Sequence, residues 1–223
     1  MNRSPEAVAE RVLDRHGRTF ADEAGIRLTD HPAALFQLLV LALLLSTRIG
    51  AGIAVAAASG LRGAGWTTPQ RMRDASRSAV INSLGRSGYR RYDERTATRL
   101  RELSDIVLEK YGGDLRRLAA AADEDVGRAD ALIREFNGIG PTGAAVFLRE
   151  VQAVWPWVRP FLDTRALEGA ERAGLPTDAH HLAQLVPPDE LARFAAGLVR
   201  VSLWRSKQDP LWDAESGVGA ASA

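Results

Sequence analysis

Three observations predict an all-α fold. Apolar residues recur at helical spacing in several segments, and no run alternates apolar and polar residues as a half-buried strand does. The same segments are bounded by helix-start and helix-stop residues, among them Ser4-Pro5, Thr68-Pro69, Gly112-Gly113 and Pro187-Pro188. With 223 residues, 46% of them hydrophobic, the chain can form one domain of about 150–200 residues or two small lobes, with ample surface to bury.

In Ser4-Pro5-Glu6, Ser4 is an N-cap and Pro5 takes the first helical position. Val8, Val12 and Leu13 then share a face, and Gly17 is the stop. His31-Pro32 opens a helix to Ser46. From Pro32 to Leu61 only Gln37 and Arg48 interrupt a run of apolar and small residues. A membrane span needs roughly 20 consecutive apolar residues. Ala33 to Leu45 is shorter and contains Gln37, while Arg48, Gly50 and Gly52 break the run beyond it. The stretch therefore predicts a buried helix, a turn and a second, Ala-rich helix, with no membrane partner.

Gly60 to Gly65 is expected as a loop, Thr68-Pro69 as the next helix start and Asn82 to Tyr89 as turn-rich. Leu100, Leu103 and Val107 place an amphipathic helix from about Asp93 to Tyr111, ended by Gly112-Gly113. A short helix near Asp114–Ala121 comes next, then another from about Glu124 to Phe136. Asn137 to Pro141 forms a tight turn, and a helix runs from Thr142 to about Val154. Asp163 begins or caps the helix after a Trp/Pro-rich link. The last strong helix starts at Pro187-Pro188-Asp189, with Leu191, Phe194, Leu198 and Val201 on its apolar face. The tail, 213–223, is expected to be disordered. No internal repeat is present.

Without cysteine the chain has no disulfide, zinc-thiolate site, iron–sulfur cluster or thiol nucleophile. The N-terminus, MNRSPEAVAERVL, lacks the apolar core of a secretory signal, which predicts a cytoplasmic protein. Net charge is +1, yet lysine occurs only at 110 and 207, so 27 of the 29 basic residues are arginine. A planar guanidinium suits bidentate contact with phosphate, which leaves nucleic acid open as a partner. Genome-wide codon bias toward Arg and Ala explains the same skew.

The most informative segment is Leu132-Ile-Arg-Glu-Phe-Asn-Gly-Ile-Gly-Pro-Thr-Gly-Ala-Ala-Val146. Two helices flank a turn with glycines at 138 and 140, where the backbone can take positive φ and approach a ligand closely. The turn feeds a helix N-terminus, whose unpaired amides and dipole suit a phosphate oxygen. Ile139 can pin the turn to the core. Alone, a GxG reads first as an ordinary helix–helix turn. With the apolar residue before it and the small residues Gly143, Ala144 and Ala145 after it, the segment resembles a helix-hairpin-helix DNA-binding motif.

Downstream, Trp155-Pro-Trp-Val-Arg-Pro-Phe-Leu-Asp-Thr-Arg165 ends in an aspartate before threonine. Hairpin and aspartate in this order resemble the endonuclease III-like DNA glycosylases of the helix-hairpin-helix superfamily. Leu39-Val-Leu-Ala-Leu-Leu-Leu-Ser-Thr-Arg48 resembles that family's buried helix ending at the DNA interface. Leu84-Gly-Arg-Ser-Gly-Tyr89 resembles its loop that fills the gap left by a flipped base. The likeness spans residues 33–205.

The resemblance implies double-stranded DNA as partner, a two-lobed all-α glycosylase fold with a cleft between the lobes, and a monomer. It assigns 30–154 to a bundle containing the hairpin, and 1–29 plus 155–212 to a second lobe. Asn137, Gly138, Ile139, Gly140, Thr142 and Gly143 become DNA-binding candidates, with Arg48 and Tyr89 as wedge or gap-filling residues and Arg165 beside them. Asp163 would stabilise an oxocarbenium-like sugar or activate water. It is also, more simply, a helix N-cap. Thr142, the other candidate at the reaction centre, stands where bifunctional relatives place a lysine that forms a Schiff base, so a lyase step by that route is not expected. No metal ligand set is expected, and the His180-His181 pair is assigned to the surface. The only cofactor implied is a monovalent cation on the hairpin carbonyls.

The sequence thus predicts a monofunctional DNA glycosylase of base excision repair. A non-catalytic helix-hairpin-helix DNA-binding protein, a bifunctional glycosylase/lyase with an unrecognised amine nucleophile and an all-α protein unrelated to DNA are the alternatives.

Overall fold

The computed structural model describes residues 4–206 and 209–212, and every regular element among them is helical. In chain order these are α1 Pro5–His16, α2 Phe20–Glu23, α3 Pro32–Leu45, α4 Ala51–Gly63, α5 Pro69–Asp74, α6 Arg77–Arg86 and α7 Asp93–Tyr111. Then come α8 Arg116–Ala122, α9 Val126–Arg134, α10 Pro141–Val151, α11 Thr164–Arg172, α12 Ala179–Ala183 and α13 Leu191–Leu203. Single 3-10 turns lie at Pro156–Val158 and Pro188–Glu190. Among the described residues no helix is long and apolar enough to cross a membrane. Lys207 and the tail 213–223 lie outside the described residues.

The described residues divide into two compact units, one of residues 21–148, the other of residues 4–20 with 149–206 and 209–212. In the first, α3 is the centre. Pro32 starts it, His31 caps it, and every residue from Leu38 to Leu44 is buried, as expected of a helix apolar on all sides. Helix α4 packs on α3, α6 on α4 and α7, and α5 on α7. In the second unit α13 packs against both α1 and α11. The approach is close: a β-carbon on Gly169 of α11 would stand 1.9 Å from the Leu198 carbonyl oxygen. At Gly197 it would stand 2.7 Å from a Val12 methyl.

Two expectations need correcting. Gly60 to Gly63 is the last turn of α4, because Gly60 lets α4 sit against α6, with room for no more than the Ser87 hydroxyl. Asn82 to Arg86 is likewise helical. Ser76 caps α6, and Val80 and Leu84 bury its inner face, so packing overrides the local turn propensity. Only Ser87 onward forms the turn.

Candidate functional site

The hairpin begins with α9, capped by Asp125 and anchored by the buried Ala129 and Ile133. Past Arg134 the chain reverses. Ile139 donates its amide to the Phe136 carbonyl at 2.9 Å, and the Gly140 carbonyl accepts from Ala144 at 3.0 Å, starting α10. Gly138 is required on two counts: its φ is +94°, and a β-carbon there would come within 2.7 Å of Arg99 Cδ. Ile139 is buried under the turn. Helix α7 holds the hairpin from outside, since Asn137 Nδ2 donates to Glu102 Oε2 at 2.7 Å and Lys110 pairs with Glu135. That pairing raises the Lys110 pKa above its ordinary value.

The outer edge of the turn is open. A β-carbon on Gly140 would meet nothing within 4 Å, and Thr142 is exposed. Pro141 carries no N–H and the Ala144 amide already bonds the Gly140 carbonyl, so at the exposed start of α10 the Thr142 amide is the one without a carbonyl one turn back. The Thr142 hydroxyl makes no hydrogen bond among the described residues, so nothing there activates it as a nucleophile. Gly143 departs from expectation. It is buried, and a β-carbon would lie 2.1 Å from Ser46 Oγ and 2.9 Å from an Ile139 methyl, so it serves the contact between α3 and α10.

Helix α3 ends with Ser46 and Thr47 turning their hydroxyls back to the Ala42 and Leu44 carbonyls, at 2.6 and 2.9 Å. Arg48 comes next, exposed and without an ion-pair partner among the described residues. Tyr89 corrects the sequence reading. Its ring is fully buried and its hydroxyl sits 2.8 Å from Thr47 Oγ1 and 3.3 Å from Thr96 Oγ1, leaving no surface to fill a gap in DNA. It ties the α6–α7 turn to the end of α3.

In the other unit, Asp163 has both oxygens engaged. Oδ1 accepts the Ala166 amide at 2.9 Å and so caps α11, while Oδ2 pairs with Arg149 Nη1. The arginine side chain is 3% exposed and the carboxylate 11%, so the pair is nearly dry and the acid keeps the larger share of the remaining exposure. Arg149 Nε is buried without a hydrogen-bond partner, and the guanidinium lies over the Phe20 ring, 5.7 Å from its centre. One turn on, Gln152 is fully buried. Its amide donates to the Arg149 and Phe161 carbonyls, each at 2.9 Å, and its oxygen accepts the Phe161 amide at 3.1 Å. Arg159 closes the link by donating to the Gln152 and Ala153 carbonyls. The Trp/Pro-rich segment is thereby a pinned loop, with Trp155 and Trp157 stacked within it at 5.5 Å.

Sequence reasoning missed Arg149 and Gln152. The signal was present: Arg149-Glu150 and Gln152 are polar at the end of an apolar helix, and all three are buried. Arg165 is exposed and shares its charge with Glu168 at 3.0 Å. His180 and His181 are exposed, the latter bonded to Asp178.

No family model matches the chain, and no curated protein matches it. Among solved structures it is similar to a trapped endonuclease III–DNA covalent intermediate, an estranged-adenine complex. Identity is 13%, over 88% of this chain and 84% of that one, with a TM-score of 0.48.

Proposed function

We propose that this chain is a monofunctional DNA glycosylase acting on a damaged or mismatched base flipped from duplex DNA. The observation that carries the reading is the carboxylate of Asp163. It is fixed from two sides, stripped of most solvent, and carried by a chain that also folds a glycine-built hairpin with an open helix-start amide. In this reading the amides of Gly140 and Thr142 bind a backbone phosphate, with a monovalent cation on the turn's carbonyls, and Arg48 meets the strand nearby. As the C1′–N bond breaks, Asp163 stabilises the positive charge that develops on the sugar. Water adds to C1′, and its proton leaves with the base. Thr142 offers no amine for a Schiff base, so no strand cleavage by that route follows excision. The protein acts as a cytoplasmic monomer, on the nucleoid when DNA-bound.

The test is a panel of duplexes carrying alkylated, oxidised, deaminated and mismatched bases, with alkaline cleavage exposing abasic sites. Excision that falls by about 10²-fold or more in Asp163→Asn, with duplex affinity kept, is the expected result. Wild-type excision by that variant overturns the role of Asp163.

A second reading has its own observation: capping α11 and pairing Arg149 already account for Asp163 structurally. A non-catalytic DNA-binding protein then gives salt-dependent duplex binding, unchanged in Asp163→Asn, and no excision of any base.

A further inference from the structure

We infer that Arg149 is a positioning residue for Asp163, setting which lone pairs of the carboxylate face the reacting sugar. The inference rests on the reading of Asp163 as the catalytic carboxylate. Four observations converge on it. Arg149 is buried, and its Nη1 bonds Oδ2 while the Ala166 amide bonds Oδ1, so rotation about the Cβ–Cγ bond is blocked from both sides. Its Nε has no partner, which a purely structural buried arginine would normally find. Its ring contact with Phe20 holds the guanidinium plane, and Arg200 covers the same ring at 4.6 Å. Finally, Gln152 bonds the Arg149 carbonyl and both polar groups of the Phe161 backbone, so the loop that carries Asp163 is pinned beside Arg149.

Arg149 makes no contact with reacting atoms in this scheme. It acts through the acid. A carboxylate has about four acceptor sites, and two are already taken, so those left are restricted to the side away from the guanidinium and the helix start. Electrostatic catalysis of this kind depends on such pre-set orientation, because reorganisation during the reaction is then avoided. A lysine at 149 keeps the charge and loses the planar fork. It therefore separates geometry from charge.

The experiment measures single-turnover excision and duplex affinity on the best substrate of the lesion panel. The proteins are the wild type, Arg149→Lys, Arg149→Met, Asp163→Asn and the double variant Arg149→Lys/Asp163→Asn, each checked for cooperative thermal unfolding. The expected result is a rate loss of about 10–100-fold in Arg149→Met and a smaller loss in Arg149→Lys, with affinity within about 2-fold of wild type. In the Asp163→Asn background, Arg149→Lys has no further effect, since a residue that acts only through the acid has nothing left to position. If Arg149→Met fails to fold, Arg149→Lys and its non-additivity decide alone. Wild-type rates in a folded Arg149→Lys, or rate losses that multiply in the double variant, overturn the positioning role while leaving Asp163 catalytic. Undiminished excision by Asp163→Asn, or no excision by the wild type, overturns the underlying reading and this inference with it.

Discussion

Replacing Tyr89 by phenylalanine deletes one hydroxyl and takes a hydrogen-bond partner from both Thr47 and Thr96 in a buried setting. The expected cost is about 1–2 kcal/mol of stability by chemical denaturation, with duplex affinity unchanged. A loss of DNA binding in a fully stable Tyr89→Phe would restore the wedge role that burial removes. Arg48→Ala is expected to do the opposite, leaving stability within about 0.5 kcal/mol and weakening binding to any duplex sequence. The slope of log affinity against log salt should shrink by about one, as titrations at several ionic strengths will read. As a helix cap Asp163 was legible, because an aspartate before threonine follows a Trp/Pro-rich link and opens a helix. Tyr89 was not, because its environment comes from Thr47, 42 residues away, and from a helix face that only packing reveals. Arg149 escaped for a related reason: a charge inside an apolar helix has meaning only once its partner, 14 residues on, is seen beside it.

At the scale of helices, the contact of α3 with α10 depends on one missing side chain. Gly143→Ala pushes a methyl into Ser46 Oγ and an Ile139 methyl, and the expected destabilisation is about 1–3 kcal/mol. Adding Ser46→Ala removes the nearer obstacle and should return part of that loss, measured as a double-mutant cycle from denaturant midpoints. Additive effects of the two changes would place the strain elsewhere. Helix α7 was readable end to end, since its apolar face, acidic first turn and terminal Gly112 agree. Helix α6 was not, since Gly85 and two serines within it carry turn propensity, and only the burial of Val80 and Leu84 decides the matter. The hairpin was legible as two helices and a turn. Its anchorage to α7 through Asn137, Glu102, Lys110 and Glu135 was not, because exposed polar pairs between a helix and a turn distant in the chain leave no pattern in the sequence.

Across the molecule, among the described residues, Asp114, bonded by the Arg116 side chain, and Asp178, which accepts the His181 amide, are carboxylates held below their ordinary value. Each binds its proton more weakly folded than unfolded. Its stabilisation is therefore complete above about pH 4 and lost as pH falls through the folded value. Lys110 has the reverse sign: raised by Glu135, it stabilises below its ordinary value of 10.5 and the benefit goes as pH rises through the folded one. Thermal midpoints should show a plateau between these limits, with an acid limb that becomes shallower in Arg116→Ala and at high salt. An unchanged acid limb would remove Asp114 from the account.

The unit around α13 is assembled from the two ends of the described chain. Arg11 donates to the Leu211 carbonyl across 200 positions, and Arg193 to that of Gly17 across 176. A ribosome adding about 5–20 residues per second therefore releases α1 roughly 10–35 s before its seat on α13 exists. During that interval Val8 and Val12 have no native cover, whereas α3, α4, α6 and α7 meet their partners as they emerge. Nascent chains arrested short of α13 should accordingly be cut by protease within residues 5–16 and resist cleavage within α3.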